Sequence, residues 1–216
     1  MSVVVVGNAR SLLDKQLGHT IDAHALVIRC NSFVTRGFVK HVGQRTDIWC
    51  VSLRMDVLPR LRAVFSASGG FGFVQSLSEI WFRPKPPSAE LRDAFAEMVG
   101  PLPPLRPPDP QIVAQAEELV GHSSHGFFAV LLAIARYGAG RVSVTGFGPI
   151  REIPRRQPGG GKYDYLVFDA PAEHAHYFER PCQEPQEYRT VHDYSAEWAV
   201  LQRLHHEGQI TILGEA

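Results

Sequence analysis

The sequence predicts an α/β protein: a single α/β/α sandwich on a mostly parallel, twisted sheet, Rossmann-like in plan. Two observations lead there. Strand-like and helix-like stretches alternate from the start, and the first strand candidate, Val3–Val6, is a bare β-branched run closed by Gly7-Asn8. Such a run is the pattern of a strand buried on both faces of a parallel sheet. Alternation of this kind puts helices on both sides of the sheet, and ligands then bind beyond the carboxyl ends of the strands. A length of 216 residues suits one such domain, and 1–216 is read as one.

The elements follow in order. Residues 11–17 have helical spacing, with Gly18 placed as a C-cap. Residues 25–30 read as a second strand and 47–52 as a third. Residues 56–66 fit a helix, 79–83 a strand, and 88–98 a helix capped by Ser88. The proline-rich stretch 101–110 reads as a stiff loop across the domain. Residues 111–120 are helical, and 126–137 are apolar all round, the mark of a buried helix. Residues 141–145 form a strand closed by Gly146-Phe147-Gly148. Residues 149–162, with Arg151, Arg155, Arg156, Lys162 and a glycine run, form a basic loop, either a lid or a plain flexible connection. Tyr194–His206 is a helix with Asp193 as N-cap and Trp198, Leu201 and Leu204 inward, and 209–213 is a final strand.

Composition removes several function classes. Lys+Arg and Asp+Glu are both 22, so no net basic field exists to hold a nucleic acid. Three cysteines, Cys30, Cys50 and Cys182, make no disulfide framework and point to a reducing, cytoplasmic location. No apolar run approaches the roughly 18 residues of a membrane helix. The first residues carry neither a basic region nor a small-residue cleavage site, so no signal peptide is expected. Membrane contact, at the inner membrane, would be peripheral.

Four segments carry chemistry. Gly7-Asn8-Ala9 holds one glycine where a dinucleotide fingerprint needs three, so a nicotinamide cofactor is excluded. What remains is a tight turn that either merely ends a strand or delivers the Asn8 amide to a nucleotide. Asn31 ends the second strand in the same way, and neighbouring strands would put both amides in one crevice. Gly121-His122-Ser123-Ser124-His125-Gly126 opens the buried helix, either as an ordinary N-cap or as an anion site. Five of ten histidines (His174, His176, His192, His205 and His206) lie near the C-terminus. No Cys-x-x-Cys, His-Glu-x-x-His or acidic cluster accompanies them, so no metal is expected. His192 precedes a helix N-terminus, whose positive end disfavours imidazolium and keeps the ring able to accept a proton. His205 and His206 read as solvated surface.

In order and spacing these segments resemble the animal-type sialyltransferase family. Residues 4–47 are similar to its large sialylmotif through Val-Gly-Asn, Ile21-Asp22-x-His24, Val27-x-Arg29-x-Asn31, Gly37-Phe38 and Val42-Gly43-x-Arg45-Thr46. The stretch from Ser124-His125-Gly126 to Gly146-Phe147-Gly148 resembles the small motif. His176-Tyr177-Phe178-Glu179 resembles the third motif, and His192 with Glu197 the very small one.

The resemblance implies a GT-A-variant fold and an inverting, metal-independent transfer of sialic acid from CMP-sialic acid to a glycan or glycolipid hydroxyl. It implies no cofactor beyond the CMP-sugar substrate. Asn8 and Asn31 would hold CMP. Ser124, His125, Gly126 and Gly146 would line the cytidine and sugar pocket. His176 would meet the donor phosphate, and His192 would be the general base on the acceptor. CMP is a good leaving group, so one base in line and one stabilised phosphate charge suffice. The family's disulfide positions fall near Ser2–Val3 and Ala139, where no cysteine stands, and His125 occupies a usual Thr or Ser position. The missing cysteines, with no anchor or stem, fit a bacterial relative. CMP-Kdo or another CMP-nonulosonic acid is the alternative donor, and an inactive CMP-binding protein the alternative from another class.

Overall fold

The computed structural model describes residues 1–55, 57–82, 88–107, 109–148 and 192–214. Its strands are β1 (Val3–Val6), β2 (Leu26–Cys30), β3 (Ile48–Val51), β4 (Glu79–Phe82), β5 (Leu105–Arg106), β6 (Val142–Thr145) and β7 (Ile210–Ile212). All pair in parallel, in the order β5-β4-β3-β2-β1-β6-β7. The valines of β1 are all buried because the strand lies mid-sheet with helices on either side. The six strands expected from the sequence are all present. β5, the added one, lies within the proline-rich stretch. It sits at the sheet edge, where missing N–H groups cost no ladder bond, and Ile80 N–H donates to the Pro104 carbonyl at 2.9 Å.

Side-chain alternation divides the sheet into two faces. Val3, Val5, Ile28, Cys30, Cys50 and Trp81 pack against α5 (Pro110–Val120), α6 (His125–Tyr137) and α7 (Tyr194–His206). On the opposite face, Val4, Val6 and Val27 meet the segments around α1 (Gly18–Asp22) and α2 (Val39–Val42). Trp49, Val51 and Ile80 meet α3 (Leu58–Ser68) and α4 (Ala89–Val99) there. Edge-on contacts join Trp49 to Phe65 at 5.5 Å and to Phe73 at 5.3 Å. The α/β/α sandwich expected from the sequence is therefore observed.

The caps explain the helix starts. Ser88 accepts from Leu91 N–H at 3.2 Å, Ser124 from Phe127 N–H at 3.1 Å, and Asp193 from Ser195 and Ala196 N–H at 3.1 and 2.9 Å. The seven successive residues of α6 from Phe127 to Ala133 are buried, as its all-round apolarity requires.

The structure corrects the expected helix at 11–17. A short 3-10 helix, Arg10–Asp14, ends in extended backbone at Lys15, and α1 begins at Gly18 rather than ending there. The reason is a close approach: a Cβ on Gly18 would lie 1.9 Å from the Val39 carbonyl oxygen of α2. Gly18 serves packing between two helical turns, of which α2 carried no periodic signal. The helix expected at 56–66 is α3, beginning at Leu58 with Pro59 in its first turn.

Candidate active site

The chain runs outward from β1 through β2, β3 and β4 to β5, then returns to β6 on the other side of β1. Strand order reverses between β1 and β6, and such a reversal opens a crevice at the carboxyl edge of the sheet. Two glycines form its floor. Gly7 N–H donates to the Thr145 carbonyl at 2.8 Å, and Ala9 N–H to the Gly146 carbonyl at 3.0 Å. A Cβ on Gly7 would sit 2.2 Å from Gly146 O, and one on Gly146, at φ 72°, would sit 2.8 Å from Gly7 O. Gly146 thus lies where expected. Its partner Gly7 carried a local signal, the bare glycine after a valine run, but its role is visible only in the pairing.

Asn8 and Asn31 end adjacent strands and act together. The Asn8 amide donates to the carbonyls of Cys30 at 3.1 Å and Ser32 at 2.9 Å, one on each side of Asn31. Among the described residues Asn31 is the non-glycine residue with positive φ, 47°, a left-handed conformation that asparagine tolerates better than most side chains. Its Oδ1 accepts from Ser52 N–H at 2.9 Å, and its carbonyl from Trp49 Nε1 at 2.8 Å. Asn8 is therefore a brace for Asn31. Asn8 Oδ1 and Asn31 Nδ2 have no partner among the described residues.

The start of α6 stands over this edge. Cys50 Sγ on β3 contacts the His125 carbonyl at 3.7 Å. A Cβ on Gly126 would lie 2.9 Å from the Phe147 ring, which follows Gly146. Gly126 is thus the residue that lets Phe147 close against the helix start. Ser124, His125 and Gly126 are all half-buried.

The first turns of α7 fasten onto this segment. Glu197, 3% exposed, accepts from Ser124 N–H at 2.5 Å on Oε1 and from Ser124 Oγ at 2.7 Å on Oε2. His192, just ahead of the helix, donates from Nδ1 to the His122 carbonyl at 3.0 Å. A carbonyl only accepts, so the bond assigns a proton to Nδ1, and in the neutral form of the ring Nε2 is the acceptor nitrogen. The His122 and His192 rings stack at 5.1 Å and 5°, and Tyr194 meets His192 edge-on at 5.6 Å. His192, Ser124 and Gly126 are linked in this way to the β1–β6 switch point. His176, His174, Cys182 and the basic loop 149–162 lie outside the described residues. His205 bonds the Ile210 carbonyl at 3.2 Å and His206 that of Gln202 at 2.7 Å, both away from this site.

Much of the large motif does a different task at the opposite edge of the sheet. Asp22 accepts from Gln44 and Arg45 N–H groups at 3.0–3.1 Å. Arg45 donates to the carbonyls of Asp22 and His24 at 2.7 Å and to Asp47 at 2.9 Å. Arg29, 2% exposed, donates to the Val42 and Arg45 carbonyls at 2.7 and 2.9 Å. Burial pushes its pKa down to about 10, against the pull of Asp22, Cys30 and Asp47, so it remains charged at neutral pH.

Residues 2–56 match the family model described as glycosyltransferase family 29 (sialyltransferase). The resemblance read from the motifs to the animal-type sialyltransferases is borne out there. Lactosylceramide alpha-2,3-sialyltransferase of Rattus norvegicus is 26% identical over 96% of this chain and 55% of its own length. Beta-1,6-galactosyltransferase GALT29A of Arabidopsis thaliana is 48% identical over 48 residues, 22% of this chain and 12% of its own. The chain spans about half the length of the first of these relatives. A crystal structure of a mammalian sialyltransferase in complex with Gal-beta-1-3GalNAc-ortho-nitrophenol superposes with a TM-score of 0.59 at 19% identity, covering 100% of this chain and 70% of the other. The seven-stranded α/β/α fold is thus that of the sialyltransferase structures.

Proposed function

We propose that the protein is a glycosyltransferase that moves sialic acid from CMP-sialic acid to a glycan hydroxyl, with inversion and without a metal, and with His192 as general base. The observation that carries this reading is the His192 Nδ1–H bond to the His122 carbonyl, which sets Nε2 as proton acceptor in a ring joined to the switch-point crevice. Asn8 Oδ1 and Asn31 Nδ2 would take the CMP moiety. Backbone N–H groups at the start of α6, with Ser124, His125 and Gly126, would line the cytidine and sugar pocket beside Gly146. His176 would meet the phosphate. Leaving CMP takes the bonding pair of the anomeric C–O bond, the acceptor oxygen forms the new bond on the opposite face, and its proton goes to His192.

The likeness to an enzyme named as a galactosyltransferase covers only the large-motif region. Donor sugar identity therefore rests on the small motif and on residues beyond it. Cytosolic residence, with peripheral contact at the inner membrane, rests on sparse cysteines and the lack of a membrane-length apolar run.

The test is CMP release from CMP-sialic acid and, side by side, CMP-Kdo, with EDTA present and with Gal-beta-1-3GalNAc as trial acceptor. Turnover of CMP-sialic acid that His192→Ala lowers at least about 100-fold, the ordinary scale for a general base, supports the reading, provided CMP affinity stays within a few-fold. Turnover of CMP-Kdo alone replaces the donor. Collapse with EDTA, or an unimpaired His192→Ala, removes the mechanism.

A further inference from the structure

Lys15 follows the first 3-10 helix, and the fold fixes it at both backbone and stem. Its backbone is extended, its N–H donates to the Leu12 carbonyl at 3.1 Å, and its carbonyl accepts from His41 Nδ1 at 2.8 Å. A Cβ on Gly214, just past β7, would lie 2.7 Å from Lys15 Cδ and 3.2 Å from Cε, so the stem fills the space that this glycine leaves. A half-buried lysine ordered in this way gives up rotamer freedom. Among the described residues its ammonium forms no hydrogen bond or ion pair.

This side chain lines a cleft at the carboxyl edge of β6 and β7, together with Thr145, Gly146, Phe147, Trp198 and Leu213. Gly146 is also part of the floor of the β1–β6 crevice, so cleft and crevice adjoin. Thr145 is 3% exposed, and its buried Oγ1 has no hydrogen-bond partner among the described residues. A buried hydroxyl costs free energy until something bonds it. No acidic residue stands among the described walls of the cleft. The enclosed space is about 10 Å³, room for one water-sized polar group and not for a sugar ring. A fixed cation beside a hydroxyl, with no carboxylate to neutralise it, suits the anionic tip of a larger molecule.

We propose that Lys15 and Thr145 form an anion subsite beside the crevice, which takes the carboxylate of the donor sugar acid and so distinguishes an acidic sugar from a neutral one. The proposal rests on the reading of the donor as a CMP-linked sugar acid. Such a donor carries its carboxylate on the anomeric carbon, the atom bonded to the phosphate oxygen. A group that holds the carboxylate next to Gly146 therefore also places the reacting carbon. CMP alone has no carboxylate and gains nothing from the subsite. A lysine kept only for its stem, laid along Gly214, needs no charge, and methionine would serve in its place.

The experiment is calorimetric titration with CMP-sialic acid and, separately, with CMP, of the unaltered protein and of Lys15→Met, Lys15→Arg and Thr145→Val. Lys15→Met keeps the stem and removes the charge. It should weaken CMP-sialic acid binding about 10-fold, the scale of one charge-assisted hydrogen bond, with CMP affinity within about 2-fold. Lys15→Arg should restore CMP-sialic acid affinity to within about 3-fold. Thr145→Val, which removes the hydroxyl and keeps the branched shape, should weaken CMP-sialic acid about 3-fold and leave CMP within about 2-fold. A Lys15→Met variant that binds both ligands as the unaltered protein does overturns the proposal. So does one that loses affinity for both equally, because that loss belongs to the nucleotide or to the fold. A failure of the donor reading looks different: the unaltered protein then binds neither ligand, and the subsite falls with that reading.

Discussion

The two ends of the parallel sheet are built from the same motif-bearing strands and treat polar groups in opposite ways. At the amino-terminal edge, Asp22, Arg45 and Asp47 bond to one another and to backbone groups, and Arg29 reaches back from β2 to close the set. At the carboxyl-terminal edge, paired glycines clear space, Asn31 holds a left-handed turn, and the histidine ahead of α7 bonds the His122 carbonyl through Nδ1. Satisfied polar networks rigidify, and partly committed ones are left for a ligand. Motif residues of one family thus divide into a frame and a site, and only the site can be expected to respond to CMP.

Substitutions at the two edges should separate along this line. The largest effect is expected of Gly7→Ala, whose Cβ would meet the Gly146 carbonyl at 2.2 Å. We expect a loss of about 3 kcal/mol in unfolding free energy from overpacking, together with loss of CMP binding in the protein that remains folded. Normal CMP binding, read by calorimetry, would mean that the paired glycines do not floor the site. Arg29→Met should come next. It leaves the buried Val42 carbonyl and the half-buried Arg45 carbonyl short of donors, at about 2 kcal/mol, and should leave the CMP dissociation constant of the folded fraction unaltered. A tenfold weaker CMP affinity would break the division between frame and site.

Asn31→Ala should weaken CMP binding by about 1–2 kcal/mol, the usual cost of a lost buried polar contact. If titration shows the affinity unchanged, Asn31 only turns the strand end. The smallest effect belongs to a third ionic group, at the start of β4. Burial raises the Glu79 pKa, but hydrogen bonds from Arg106 and Arg136 outweigh it and hold the carboxyl below its ordinary 4.5. The unfolded chain therefore binds the proton more readily than the folded one. This contribution is complete above about pH 4.5 and disappears as pH falls through the lower folded value. Glu79→Gln should flatten the fall of melting temperature with acid below about pH 4.5. An acid limb as steep as in the unaltered protein would assign the sensitivity to other carboxylates.

What could be read without coordinates follows from physical range. The four valines of β1, the all-apolar α6 and the capping residues Ser88, Ser124 and Asp193 are local signals, carried by periodicity and by one side chain bonding a backbone group a few residues on. The strand-end positions of Asn8, Asn31 and Gly146 were legible for the same reason. Gly18 was misread because an identical residue type serves two purposes: a C-cap is recognised by its neighbours in sequence, whereas the Val39 carbonyl that excludes a Cβ there lies 21 residues on. β5 escaped notice because prolines suppress strand propensity, and only the free edge of β4 tolerates them.

By itself the sequence determined the layer architecture, most element boundaries and the short motifs that point to a CMP-sugar transferase, since these depend on spacing along the chain. Only the tertiary structure decided which motif residues brace and which face the crevice. It made Asn8 a clamp on Asn31, Gly7 the counterpart of Gly146, Glu197 the tether of Ser124 and His122 the neighbour of His192. Each of these pairings joins groups 23 to 139 residues apart. Sequence separation carries no information about such contacts until the sheet has ordered its strands and brought the two sides of the switch point together.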